Sequence, residues 1–274
     1  MEQIISKTNS NVKFVSSLNE KKFRQKNNAF YLEGIKVVNE LLDKAIDIMF
    51  IAYSKSILLQ SNGGEELIKR LENEKNIKVL EFDEKIFKYV TDTVNPQGVL
   101  AVIEIPKYNL KDELEKLNDS NILILDKVQD QGNLGTIIRS ANAFDCDLII
   151  CTLGTADIYS PKTLRSTMGG ILNTKVIYVD DVNELQIIKE KGYKIVTTSL
   201  NTNNSSDTLN YKDNKYAFAV GNEANGVSKE LENLSDILVK IPMSDKIESL
   251  NVGVATSIIL YEQYKAKNKH LDIV

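Results

Sequence analysis

Along the 274-residue chain, short apolar runs recur between stretches whose apolar positions fall three or four residues apart, a pattern that predicts strands separated by helices. In the first half, Asn11–Lys26 reads as helical and basic, Phe30–Gly34 as a short strand with a glycine exit, and Ile35–Ala45 as a helix carrying Val37, Val38, Leu41 and Leu42. Ile46–Ala52, Ile77–Phe82 and Gly98–Ile105 are strand-like, and Glu65–Lys75 and Glu84–Val90 are helical. Such alternation predicts a small α/β layer domain over residues 1–108. Pro106 and the charged stretch Lys111–Lys116 then mark a boundary, with a linker helix leading into a second domain over residues 119–274.

The second half alternates more regularly. Strands are predicted at Ile122–Leu125, Asp147–Cys151, Lys175–Tyr178, Lys194–Thr198, Ala217–Val220 and Ile237–Ile241. Helices are predicted from Leu134, from Pro161, near Asn183–Lys191 and from about Leu250 to Lys267. The expected architecture is α/β, a mostly parallel sheet covered on both sides, with ligands beyond the carboxyl ends of the strands. Asn133, Gly221 and Pro242 all fall just after strands, so three loops can converge there.

Composition narrows the chemistry. The content is 42% hydrophobic, and no apolar run is long enough to cross a bilayer; with no apolar leader at the start, a cytoplasmic protein is expected. Cys146 and Cys151 flank a predicted strand, where small buried residues are expected rather than a disulfide or redox pair. The single histidine, His270, lies in a polar tail, so a Ser-His-Asp triad, a histidine zinc site or a histidine base is not on offer, and no metal is expected. A net charge of −4 argues against indiscriminate coating of nucleic acid. Lys7, Lys13, Lys21, Lys22, Arg24 and Lys26 still supply either a local basic face or a solvated helix.

Three stretches carry candidate chemistry. In Asp130-Gln-Gly-Asn133-Leu-Gly-Thr-Ile-Ile-Arg139, Asn133 is placed to cap a helix striped by Leu134, Ile137, Ile138 and Ala141. Arg139, at the margin of that stripe, can lean toward the strand ends or face solvent. It is one of only four arginines, with Arg24, Arg70 and Arg165, in a chain that otherwise uses lysine; Arg24 and Arg70 read as surface charge. In Gly221-Asn-Glu223-Ala-Asn-Gly226-Val-Ser228, the glycines permit unusual backbone angles and Ser228 can cap a helix, while the spacing fits neither a P-loop nor a Rossmann fingerprint. Glu223 can orient a guanidinium, accept from a ligand or sit solvated. In Ile241-Pro-Met243-Ser and Ser249-Leu250-Asn251-Val-Gly253, a polar entry leads into a helix whose first turns are small and apolar; an ordinary N-cap also explains Ser249.

Together these stretches resemble the SpoU/TrmH branch of the SPOUT superfamily of RNA 2′-O-ribose methyltransferases. Asn133-Leu-Gly-x-x-x-Arg139, Gly221-x-Glu223-x-x-Gly226, and Ile-Pro-Met with Ser249-Leu-Asn251-Val are similar to that family's three motifs, in order. Phe30-Tyr-Leu-Glu33-Gly34 and Asn95-Pro-Gln-Gly98 look like its small N-terminal substrate-binding domain, and Tyr159-Ser-Pro-Lys162 with Arg165 follows its pattern. Gln131 and Gly253 depart from it, standing where the family often has proline and a small polar residue.

The resemblance implies a C-terminal domain tied in a deep trefoil knot that holds S-adenosylmethionine. Thr198, Leu200, Gly221, Ile241, Met243 and Leu250 would line that pocket. Arg139 would stabilise charge on the attacking ribose oxygen, with Asn133, Glu223, Ser249 and Asn251 holding Arg139 and the ribose. It further implies a homodimer with sites using both subunits, and an RNA substrate, ribosomal RNA being favoured over transfer RNA. A non-catalytic RNA-binding scaffold in ribosome assembly, a transfer RNA ribose methyltransferase and a base methyltransferase are the alternatives.

Overall fold

The computed structural model describes residues 3–44, 46–91, 93–117 and 121–268. His270, Ala45 at the expected end of a first-half helix, and Asp119 at the expected start of the second domain lie outside them. The chain forms two compact units, Met1–Pro106 with Tyr159–Arg165, and Lys107–Ile158 with Ser166–Val274.

The first unit contains β1 (Gln3–Ile4), α1 (Ser10–Ser17), α2 (Lys21–Asn27), β2 (Ala29–Glu33), α3 (Ile35–Asp43), β3 (Ile48–Tyr53), α4 (Lys55–Leu58), α5 (Gly64–Glu72), β4 (Val79–Phe82), α6 (Glu84–Val90) and β5 (Val99–Glu104). Its sheet runs β1-β4-β3-β5-β2, with β1, β4 and β3 parallel and β5 antiparallel to both its neighbours. Val15, Tyr31, Phe50, Phe82, Phe87 and Leu100 pack in its core. Tyr159 packs against Phe30 in a tilted ring pair with centroids 4.6 Å apart.

The predicted helix over residues 11–26 is two helices. The break has a physical cause in tertiary bonds: Asn19 donates from Nδ2 to the Val90 carbonyl at 3.1 Å and accepts from the Tyr31 hydroxyl at 2.7 Å. Arg24 is not the surface charge expected of it. It is 4% exposed, and Nη1 donates at 2.6 Å to the Leu18 carbonyl at the end of α1, a group the interrupted helix no longer satisfies. The exposed basic face therefore consists of lysines alone. Two stretches singled out in the sequence interlock: the Glu33 carboxylate accepts from Thr93 Oγ1 at 2.7 Å and Gln97 N at 3.2 Å, and Gln97 Oε1 accepts from Ile35 N at 3.0 Å.

The second unit contains α7 (Leu110–Lys116), β6 (Asn121–Leu125), α8 (Gln131–Ala143), β7 (Cys146–Thr152), the end of α9 (Pro161–Thr167), β8 (Lys175–Val179), α10 (Gln186–Glu190), β9 (Tyr193–Thr198), β10 (Lys215–Val220), α11 (Lys229–Leu234), β11 (Ile237–Val239) and α12 (Val252–Lys267). The six strands run β11-β9-β10-β6-β7-β8, every pair parallel. The predicted helix near Asn183–Lys191 divides into a 3₁₀ turn, Val182–Leu185, capped by Asp181, and α10. β11 stops at Val239, short of the expected Ile241, because Lys240 turns away to bond Asn204 and Ser206. Cys146 and Cys151 are buried, free thiols in β7; burial pushes both up, Cys146 to about 12. No helix among the described residues is long and apolar enough to cross a membrane.

The strand order reverses at β6: the chain leaves toward β7 and β8, then returns to place β10 on the other side of β6. Loops after β6 and β10 therefore diverge from neighbouring strand ends, the crevice where open parallel sheets bind ligands. Remote from this edge, Glu113 of α7 accepts from Lys116 at 2.6 Å and from Lys175 of β8 at 2.5 Å, and these two bonds hold its carboxyl below the usual range. Replacing Glu113 with Gln is expected to cost about 2 kcal/mol in urea denaturation at pH 7, between the values for exposed and buried pairs. Because the folded pKa is depressed, this stabilisation is present above the unfolded pKa and lost as pH falls through the folded one. Wild type and variant should therefore converge at acid pH; a gap that stays constant would contradict the assignment.

Candidate active site

β6 and β10 end level, with Leu125 beside Val220, and the Asp126 N–H donates to the Val220 carbonyl at 2.9 Å to extend the pairing by one step. Beyond β10 the chain doubles back at once. Asn222 and Gly226 exchange two backbone hydrogen bonds of 2.9 Å, with Gly226 at φ +70°. A Cβ on Gly221 would lie 2.1 Å from the Gly226 carbonyl carbon, so the turn admits no side chain there. The Asn222 side chain completes the loop: Oδ1 accepts from Ala224 N and Asn225 N at 2.9 and 3.1 Å, and Nδ2 donates to the Lys127 carbonyl at 2.9 Å.

A chain of side-chain hydrogen bonds joins the three motifs. Asn251 is the N-cap of α12, its Oδ1 accepting from Gly253 N at 2.9 Å and Val254 N at 3.3 Å. That leaves its Nδ2 to donate to Asn133 Oδ1 at 2.9 Å. Asn133 Nδ2 in turn donates to Glu223 Oε1 at 3.1 Å. Glu223 also accepts from the backbone N–H of Gln129 and Asp130, at 3.3 and 3.1 Å. Each amide orientation follows from its neighbour, ending on a carboxylate that can only accept. Partial desolvation raises the Glu223 pKa, but the bonds from Asn133, from its own backbone and from Asp130 and Gln129 outweigh it and leave the carboxyl below its usual range.

Three caps differ from the sequence reading. Asp130, not Asn133, caps α8, accepting from Asn133 N at 2.7 Å; this frees the Asn133 side chain for the relay. Ser249 and Leu250 precede α12, which starts at Val252 behind the Asn251 cap. Ser228 occupies the N-cap position of α11, but its hydroxyl makes no capping bond.

Between the loops lies a cavity of about 450 Å³. Thr198, Leu200, Gly221, Ile241, Met243 and Leu250 all line it, and so do Glu223, Ser249 and Asn251. Asn133 stands behind this wall, bonded to two of its members. Arg139 is apart: it is exposed on α8 and does not line the cavity. α8 and α12 meet instead through Thr136 against Gly253 and a 2.7 Å hydrogen bond between the Ser140 and Ser257 hydroxyls. Glu223, Glu232 and Glu248 give the cavity three carboxylates against one lysine, Lys240, while Val220, Val239, Ile241, Met243 and Leu250 supply apolar wall. The arrangement suits a ligand with a flat apolar part and positive charge.

Sequence reasoning missed Asn222, which shapes the loop, and Asp126, which anchors it. Asn222 was visible only as one more residue of a Gly/Asn turn, and Asp126 only as the polar end of an apolar run.

A parallel α/β unit with a ligand cavity at its strand-order reversal, joined to a smaller mixed-sheet unit, defines the class. The chain belongs to the SpoU rRNA methylase family, which residues 120–261 match; residues 9–101 match the MRM3-like substrate binding domain. It is 34% identical over 262 residues to the 23S rRNA (guanosine(2553)-2′-O)-methyltransferase RlmP of Bacillus subtilis, covering 95% of this chain and 98% of that one. A crystal structure of an AdoMet-bound rRNA methyltransferase from Sinorhizobium meliloti superposes with a TM-score of 0.84 at 30% identity, over 98% of both chains. The SpoU methyltransferase AviRb of Streptomyces viridochromogenes shares the fold, with a TM-score of 0.83 at 22% identity over 96% of this chain and 99% of that one.

If the relay is a coupled unit, replacing Asn133 and Asn251 with Ala singly and together should show a coupling free energy of about 1 kcal/mol in urea denaturation. Additive effects would show the two amides to be independent.

Proposed function

We propose that the protein transfers the methyl group of S-adenosylmethionine to a ribose 2′-hydroxyl of ribosomal RNA. The observation that carries this reading is the single cavity in which the Gly221–Gly226 loop, the Ile241–Met243 segment and Ser249–Asn251 meet, linked by the Asn251–Asn133–Glu223 relay to the start of α8.

The cavity fits the cofactor chemically. Its volume lies within the range of small-molecule sites. Leu200, an apolar side chain left 61% exposed at the rim, would be covered by the adenine, as would Ile241, Met243 and Leu250. The carboxylates favour a sulfonium and an ammonium group. S-adenosylmethionine supplies an electrophilic methyl group on a sulfonium. The chain must orient the ribose hydroxyl and steady the negative charge that grows on its oxygen as its proton leaves to water or an adjacent RNA phosphate.

Arg139 is assigned the charge-steadying role, since a guanidinium hardly ever gives up its proton. Asn133, Glu223, Ser249 and Asn251 hold the surrounding loops and the ribose. Because Arg139 stands outside the cavity of its own chain, we assign it to the site of a second copy in a homodimer. Val254 and Tyr261, 48% and 40% exposed along α12, offer apolar surface for that association. The segment from Lys240 to Asn251, with α12, would form the trefoil knot. The first unit, with Lys7, Lys13, Lys21, Lys22 and Lys26 exposed, would grip folded RNA through backbone and shape. Acting on ribosomal RNA, the protein would work in the cytoplasm. The Bacillus subtilis relative is named for guanosine 2553 of 23S rRNA, and the equivalent nucleotide is the first position to examine.

With labelled S-adenosylmethionine, wild-type protein should transfer methyl to ribosomal RNA, whereas Arg139→Ala should bind the cofactor nearly as well and lose turnover by about 100-fold or more. A loss of cofactor affinity as large as the loss of rate would sink this division of roles. Analytical ultracentrifugation should show a dimer at micromolar concentration; a monomer alone would contradict the shared site.

A further inference from the structure

One buried acidic side chain lies behind the cavity and has no part in the chemistry assigned so far. Asp126 follows β6 directly and is fully buried. Its Oδ1 accepts from Thr152 Oγ1 at 2.7 Å, and its Oδ2 accepts from Ser228 N at 2.6 Å. Thr152, itself 1% exposed at the end of β7, accepts from Lys127 N at 3.2 Å, so its hydroxyl proton is free to point at Asp126. Lys127 has a positive φ of 57°, and its carbonyl is the group that receives the Asn222 side chain. The Gly221–Ser228 loop is thus tied at both ends to one residue and its neighbour: at Asn222 through Lys127, and at Ser228 through Asp126.

The arrangement has a cost that packing alone does not explain. No ion pair to Asp126 occurs among the described residues, and a buried carboxyl is a poor filler for a site that an apolar side chain could occupy. What Asp126 does supply is an acceptor for the Ser228 N–H at the first turn of α11. The Ser228 hydroxyl is buried without a partner, so it is the backbone of that residue, rather than its side chain, that is being held.

We propose that Asp126 is a positioning residue for the cofactor: through the Ser228 N–H, with Thr152 setting its carboxyl rotamer, it fixes the loop that forms one wall of the cavity. It does not touch the ligand. The proposal rests on the S-adenosylmethionine reading above, and its test keeps the two apart.

S-adenosylmethionine affinity is measured by titration calorimetry, with KM and kcat from methyl transfer and folding followed by urea denaturation. Asp126→Ala leaves the Ser228 N–H without an acceptor and is expected to raise Kd and KM for the cofactor about tenfold or more, with kcat at saturating cofactor changed less than about threefold. Asp126→Asn keeps an acceptor oxygen and should stay within about threefold of wild type. Should Asp126→Ala fail to fold, Thr152→Val, which removes the orienting hydroxyl, is expected to weaken cofactor binding several-fold, with Thr152→Ser restoring it. Folded Asp126→Ala with wild-type affinity would overturn the proposal, as would an equal affinity of Thr152→Val and wild type. Equal losses in kcat and in affinity would overturn it too, by placing Asp126 in the chemistry itself. Wild-type protein that binds no S-adenosylmethionine would instead overturn the cofactor reading, and this proposal with it.

Discussion

The Asn251–Asn133–Glu223 relay is the constraint on which the site depends. Three loops leave the sheet from different strands, and nothing in the strand pairing alone fixes their distances from one another. Two amides and one carboxylate do so, each with its orientation dictated by the next. The residues are partly or fully exposed, so water competes for every bond and no single one contributes much stability. The relay holds because Glu223 accepts three donors at once beside the N-terminus of α8, a 13-residue helix whose dipole favours negative charge there. At its other end Asn251 is doubly committed as the cap of α12.

This arrangement divides labour between surface and interior. Behind the relay, the turn at Gly221 and Gly226 is enforced by close backbone approach, and Asp126 meets the same loop from the buried side. In front of it, the cavity wall mixes apolar side chains with carboxylates. Family membership and this geometry point the same way: the chain belongs to the SpoU rRNA methylases, and its own residues build a cavity suited to an adenosine-bearing cation.

Much of this was legible in the sequence, and the reasons for success and failure are physical. Strand and helix alternation in the second half is read from periodicity, because strands buried on both faces are continuously apolar. That same logic located the ends of β6 and β10, and so two of the ligand loops. Thr198, Leu200, Gly221, Ile241, Met243 and Leu250, expected from the resemblance, line the cavity between the loops. The misreadings concern side chains whose partners are distant in sequence. Asn133 looks like a cap because capping is local, and only its bonds to residues 90 and 118 positions away reveal its use. Arg24 looks like surface charge because its neighbours are lysines, yet a carbonyl freed by a broken helix draws it inside. Asp126 shows only as the polar end of an apolar run, since its partners lie at the end of β7 and at the start of α11.

The measurement that bears most directly on the account is mapping of the product. Ribosomal RNA from cells lacking the protein is incubated with the purified enzyme and S-adenosylmethionine, then digested with nucleases and read by mass spectrometry. The account predicts one nucleotide gaining a single methyl group that stays with the ribose when the base is removed. A methyl group that leaves with the base, or no methylation of ribosomal RNA despite cofactor binding, would contradict it.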